Sequence, residues 1–213
     1  QAYRARFDSE DAVRLDFSVA GNQAFFVQNT EVLKLAYEIV KLDKVVSALS
    51  SRLPGVAKDQ YSKKCLIDEI VLTNKIEGVY SSRKEIYLKL LTGEEIPLGS
   101  CQDIRRIYDE VFLEEVVAEE PKHAPDGKIF RKDISSVHSE TDRVIHQGLY
   151  PESKIIAAME QALAFLGDDS VDRLCRICIF HYLIEYIHPF YDGNGRLGRF
   201  ILSYCMSETL EPL

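Results

Sequence analysis

A histidine, an aspartate, three glycines and two arginines fall within the stretch HPFYDGNGRLGR, residues 188–199. These types at this spacing suit the handling of a phosphate. His188 is of the type that can titrate near neutrality and accept a proton. Asp192 offers carboxylate oxygens of the kind that hold a hard cation. Gly193, Gly195 and Gly198 lack a Cβ, which lets main-chain amides turn toward an anion. Arg196 and Arg199 stand one helical turn apart, so a helix beginning here brings both to one polyanion. An ordinary turn between two helices accounts for Gly193, Asn194 and Gly195. It leaves His188, Asp192, Arg196 and Arg199 unexplained.

The elements that must position this string are mostly helical in pattern. Residues 174–187 form a continuous apolar run with Leu174, Ile177, Phe180, Leu183, Ile184 and Ile187, which predicts a buried central helix over 171–187. Asp168, Asp169 and Ser170 offer its N-cap, and Pro189 ends it and leaves His188 at its C-terminal end. The next helix is expected from about Arg196 to Met206, which places the glycine loop at a helix N-terminus, where the macrodipole adds about half a positive charge.

Upstream, apolar residues at helical spacing cover 25–49, 59–77 and 103–119, with loops at 93–99 and 121–127. Between 128 and 150 the helical period is lost. There Ile134, Val137, Val144 and Ile145 read as two short strands around polar residues 139–143, closed by Gly148, and Pro151 opens the following helix. The fold class expected is all-α, mainly helical, with one small β-hairpin. Residues 1–98 read as an N-terminal helical region and 99–213 as the core that carries the site.

Composition bounds the function. The 213 residues suffice for one sizeable core, and 46% hydrophobic with 28% charged residues is ordinary for a folded domain. A net charge of −8 argues against nucleic acid as the main ligand, because a phosphate backbone needs a basic face. No apolar stretch reaches membrane-spanning length and no signal peptide is evident, so no membrane partner is expected. Five cysteines, an odd number scattered through apolar runs, fit reduced thiols in a cytoplasmic protein. Cys175 and Cys178 form a CxxC without a second ligand pair, and read as small core residues. The missing initiator methionine and the end soon after residue 199 read as a fragment, truncated at its C-terminus.

The whole string resembles the signature of the Fic (filamentation induced by cAMP) family, HxFx[D/E]GNGRxxR, and meets it at every specified position. The resemblance implies a protein adenylyltransferase that moves AMP from ATP to a Ser, Thr or Tyr hydroxyl of a target protein. His188 is then the general base, Asp192 holds Mg²⁺ or Mn²⁺, and Gly193, Asn194 and Gly195 form the anion hole. Arg196 takes the β-phosphate region and Arg199 the γ-phosphate, while Phe190 anchors the loop in the core. Gly195 stands where the Doc-type kinases of the family carry lysine, which favours adenylyl over phosphoryl transfer.

A second segment, residues 73–78, matches the family's inhibitory pattern [S/T]xxxE[G/N] through Thr73, Glu77 and Gly78. By this resemblance Glu77 restrains the enzyme by pairing with Arg199, and in some relatives the same glutamate serves AMP removal. The alternative is a solvated helix ending at a glycine cap. The hairpin at 134–148 occupies the position of the family's flap, which makes Val144, Ile145 and His146 the target-binding strand. A plain connecting hairpin is the other reading. Self-AMPylation and a homo-oligomer are further expectations.

Three other functions fit parts of the sequence. One is a Fic module that binds nucleotide or a partner without transfer, against which the intact motif weighs. Another is a Fic enzyme using a different phosphate-containing donor. The third is a two-metal carboxylate site built on Glu185-x-x-His188 and Glu120-x-x-His123. Pro121 breaks its second arm, and it leaves both arginines without a role.

Overall fold

The computed structural model describes residues 2–74, 96–138, 141 and 143–210. A short helix, α1 (Ala2–Phe7), leads into an antiparallel hairpin of β1 (Ala12–Val19) and β2 (Asn22–Val27). Leu15 and Phe17 alternate with exposed residues and point into the core. Ala20 and Gly21 make the turn, both at positive φ, as a two-residue hairpin loop requires. This hairpin corrects the expectation that residues 25–49 are all helical and that strands occur only after 128. The signal was the two-residue period of Leu15 and Phe17, read past because it spans so few residues.

Helix α2 (Thr30–Ser50) starts only after Asn29, whose side chain caps the Val32 amide, and it buries no side chain. Helix α3 (Gly55–Asn74) follows, and Glu77 and Gly78 lie outside the described residues. Ser100 then caps α4 (Cys101–Val111), and α5 (Leu113–Glu119) continues it. The single helix expected over 103–119 is interrupted at Phe112, whose φ of −122 lets its ring enter the core at 1% exposure. Pro121–His123 forms one 3-10 turn.

Strands β3 (Ser136–His138) and β4 (Val144–Gln147) pair antiparallel, with Val137 opposite His146. Ile134 lies outside the ladder and is exposed. Helices α6 (Glu152–Leu166), α7 (Arg173–Ile187) and α8 (Asn194–Ser207) complete the chain. The cap of α7 is Asp172, which accepts from the Leu174 and Cys175 amides, and not the earlier trio. Asp168 instead accepts from the Ser170 amide.

Helix α7 packs between α6 and α8, α3 lies along α8, and β1 rests on α6. One hydrophobic cluster joins Leu15, Phe17 and Ile67 to Ile104, Met159, Phe180 and Ile201, so it runs across the boundary drawn at residue 98. The chain is mainly helical with small two-stranded sheets. Among the described residues no helix is long and apolar enough to cross a membrane. All five cysteines are free.

Candidate active site

The loop between α7 and α8 is shaped by its own residues. Pro189 has no N–H to continue α7, and His188 closes the helix in the left-handed region at φ 52, ψ 63. Phe190 is fully buried, stacked on Tyr108 with ring centres 3.6 Å apart and edge-on to Phe130. Asn194 braces the loop from within, its Nδ2 donating to the Phe190 carbonyl and its Oδ1 accepting from the Phe190 amide, each at 2.9 Å. A buried phenylalanine contributes about 3–5 kcal/mol against alanine. One hydrogen bond contributes about 1 kcal/mol. Ring packing therefore dominates, as the anchoring role expected of Phe190 requires.

Gly193 sits at φ 76 and begins α8 without a side-chain cap. The first-turn amides of α8 thus have no intrahelical acceptor, which is the feature an anion uses. The Gly193 amide donates to Asp192 Oδ1 at 2.6 Å, and the Tyr108 hydroxyl donates to the Asp192 carbonyl at 3.1 Å. Burial pushes the Tyr108 phenol far up, so it remains a donor at every working pH.

Arg196 is 1% exposed. Its Nη2 lies 3.3 Å from Asp192 Oδ2 and its Nη1 3.3 Å from Glu115 Oε2. Arg199 lies half-buried one turn further along α8. Gly198 lets α7 and α8 approach closely, since a Cβ there would stand 2.5 Å from Glu185 Oε1.

His188 faces a low-polarity setting. Burial, then the positive charge of Arg131 and the nearby His146, lower its pKa to about 4, against the opposing pull of a bond to the Glu185 carbonyl and of Asp192. The ring is therefore neutral at neutral pH and available as a base. Because the folded value lies below the unfolded one of about 6.5, the unfolded chain binds more protons between these two values. Stability is accordingly lost as pH falls through that window. An NMR titration of the His188 ring protons should show its midpoint near 4. A midpoint at or above the ordinary histidine value would contradict this electrostatic setting.

The hairpin β3–β4 stands beside the base. His146 Nε2 donates to the Tyr186 carbonyl at 2.8 Å, and its ring lies 6.3 Å from that of His188. Val144 and Ile145 are 52% and 67% exposed, leaving an apolar strand open next to the imidazole.

Three neighbours were not foreseen. Glu115 pairs with Arg196, His123 Nδ1 comes within 3.9 Å of Asp192 Oδ2, and Arg131 braces the His188 backbone. All three lie at least 57 residues from the motif positions they meet, so local spacing carried no sign of them. The proposed second arm of a two-metal site is not a helix, because Glu120 instead accepts from the Lys122 amide to cap the 3-10 turn. Thr73 lies in the last turn of α3.

A family profile described as Fic/DOC family matches residues 99–206, half of the chain. A probable protein adenylyltransferase of Aquifex aeolicus (strain VF5) is 46% identical over 43 residues, which is 20% of this chain and 13% of that protein. A protein adenylyltransferase of Caenorhabditis elegans is 33% identical over 61 residues, 27% of this chain and 12% of that protein. The chain thus matches only about an eighth of the length of these curated relatives. The crystal structure of a Fic family protein from Desulfovibrio desulfuricans G20 is similar at a TM-score of 0.53 and 18% identity, covering 86% of this chain and 59% of that one. At that identity the likeness concerns the fold.

Proposed function

The chain belongs to the Fic/DOC family, and from that membership and the geometry of its site we propose that it transfers AMP from ATP to a Ser, Thr or Tyr hydroxyl of a protein. The observation that carries the reading is one braced loop bearing His188, Asp192, uncapped first-turn amides and Arg196 together. The target oxygen bonds to the α-phosphorus while the bond from that phosphorus to the bridging oxygen breaks. Pyrophosphate leaves, and the hydroxyl proton passes to the His188 imidazole. Charge accumulating on the α-phosphate oxygens is met by the amides of Asn194 and Gly195 at the α8 N-terminus, after Gly193, whose own amide is held by Asp192. Arg196 and Arg199 present planar donor forks to the outer phosphates. Phosphate displaces Glu115 and Asp192 as partners of Arg196.

The Asp192 carboxylate, 38% exposed, would hold a hard cation through Oδ2 once phosphate draws Arg196, now 3.3 Å away, off that oxygen. When bound, Mg²⁺ or Mn²⁺ supplies Lewis-acid neutralisation of the phosphate oxygens. An extended target segment adds to β4 beside Val144, Ile145 and His146, which orients its hydroxyl toward His188. Incubation with ATP labelled at the α-phosphate tests the reading, with label expected on this chain itself and on target proteins. Label on neither, in lysate or purified chain, counts against it.

Regulation by Glu77 belongs to the same reading. Helix α3, in whose last turn Thr73 lies, packs along the helix that carries Arg199. In this reading the Glu77 carboxylate and Arg199 make a charge-assisted pair that excludes the γ-phosphate, and the carboxylate can also orient water for AMP removal. Glu77→Gly should therefore raise AMP incorporation about tenfold or more, as expected when a pair of 1.4 kcal/mol or greater is lost. Equal incorporation by the variant and the parent, at matched ATP, would make Glu77 an ordinary solvated helix residue.

A further inference from the structure

Arg131 is completely buried, and its side chain bonds only to main-chain carbonyls among the described residues. Its Nε donates to the His188 carbonyl at 3.0 Å, its Nη2 to the Leu149 carbonyl at 2.9 Å, and its Nη1 to the Asp133 carbonyl. A buried charge is costly unless it is paired or well bonded. Here three carbonyl dipoles do that work, and they come from three separate places: the segment entering β3, the segment leaving β4, and the base itself.

Main-chain bonds run alongside. The Arg131 amide donates to the Pro189 carbonyl at 3.3 Å, and the Leu149 amide to the Ile187 carbonyl at 3.0 Å. Gly148 leaves room for the guanidinium, since a Cβ there would lie 2.3 Å from Arg131 Nη2 and 2.8 Å from His188 Cβ. His188 is meanwhile held at φ 52, a left-handed backbone that few residues other than glycine adopt.

We propose that Arg131 is a positioning residue. It joins the carbonyls of His188 and Leu149 in one planar fork and so locks the left-handed backbone of the base to the root of the β3–β4 hairpin. A segment paired with β4 then presents its hydroxyl at a fixed distance from the imidazole. This role rests on His188 acting as the base in the proposed transfer. Lysine keeps the charge but offers a compact ammonium in place of the fork, so it should substitute only in part.

The test compares Arg131→Met and Arg131→Lys with the parent chain in three measurements. These are kcat for AMP transfer, affinity for a non-hydrolysable ATP analogue, and the ¹³Cα and ¹³Cβ shifts of His188 in the nucleotide-free protein. Arg131→Met should lose about 10²-fold in kcat, the scale of a reacting group misplaced by about 1 Å. Its analogue affinity should be unchanged, and its His188 shifts should leave left-handed values. Arg131→Lys should fall between variant and parent. Parent-like kcat and shifts in Arg131→Met overturn the proposal, as does a loss of kcat matched by an equal loss of analogue affinity. If Arg131→Met does not fold, Arg131→Lys decides by the same criteria, because it keeps the charge and loses the fork. If the parent transfers no AMP, the transfer reading fails, while the His188 shifts still decide what Arg131 does.

Discussion

Replacing His188 with alanine lowers AMP transfer by about 10²–10⁴-fold, the range of a general base, and leaves ATP binding intact. The separation follows from where the charges lie. In the proposed transfer the anion contacts fall to the α8 amides, Arg196 and Arg199, while His188 stands at the other end of the loop beside the β3–β4 hairpin. Burial and Arg131 keep its pKa near 4 in the free chain, so the base is unprotonated at neutral pH but weak. A bound polyphosphate raises the proton affinity of the imidazole toward the range where a base works best. His188→Asn is a useful companion, because asparagine tolerates the left-handed backbone found at this position. Single-turnover transfer from α-labelled ATP, with ATP binding by calorimetry, separates the two effects. Transfer that survives in both variants would remove His188 from the mechanism, and a joint loss of binding would make it a structural residue.

Asp192→Ala should cost about two to three powers of ten in transfer and flatten the dependence on Mg²⁺. Metal-ion charge stabilisation of several kcal/mol converts to a factor of that size. Asp192 also accepts from the Gly193 amide and stands against Arg196, so its removal loosens the start of α8. The more conservative Asp192→Asn keeps an acceptor for that amide while removing the charge. Both variants should therefore lose metal dependence, and only the alanine should weaken ATP binding further. Full activity of either variant in excess chelator would contradict the assignment.

The site was legible where its chemistry is local. His188, Asp192, Asn194, Arg196 and Arg199 lie within one helix–loop–helix, so their spacing alone brought them together. The apolar run of α7 and a hairpin within 134–148 followed equally from pattern, while the burial of Phe190 was expected from the family resemblance. Contacts made across the fold left no such trace. Arg131 looks like any basic residue entering a loop until the carbonyls of Leu149 and His188 close around it. Glu115 reads as one of several acids opening α5 until Arg196 meets it. The start of α7 slipped because a nearer capping side chain, Asp172, competed with those in the same polar stretch, and the start of α2 slipped because residues up to Val27 are strand. The β1–β2 hairpin was missed because its inward alternation rests on Leu15 and Phe17 alone.

The central claim is that the group moved is AMP, and the position of the label in ATP tests it most directly. The purified chain, its Glu77→Gly variant and a lysate should be incubated in parallel with ATP labelled at the α- or the γ-phosphate, with Mg²⁺ present. The account predicts protein-bound label from α-labelled ATP alone, absent in His188→Ala. Label arriving from the γ-phosphate, or none from either nucleotide even with Glu77→Gly, would contradict it.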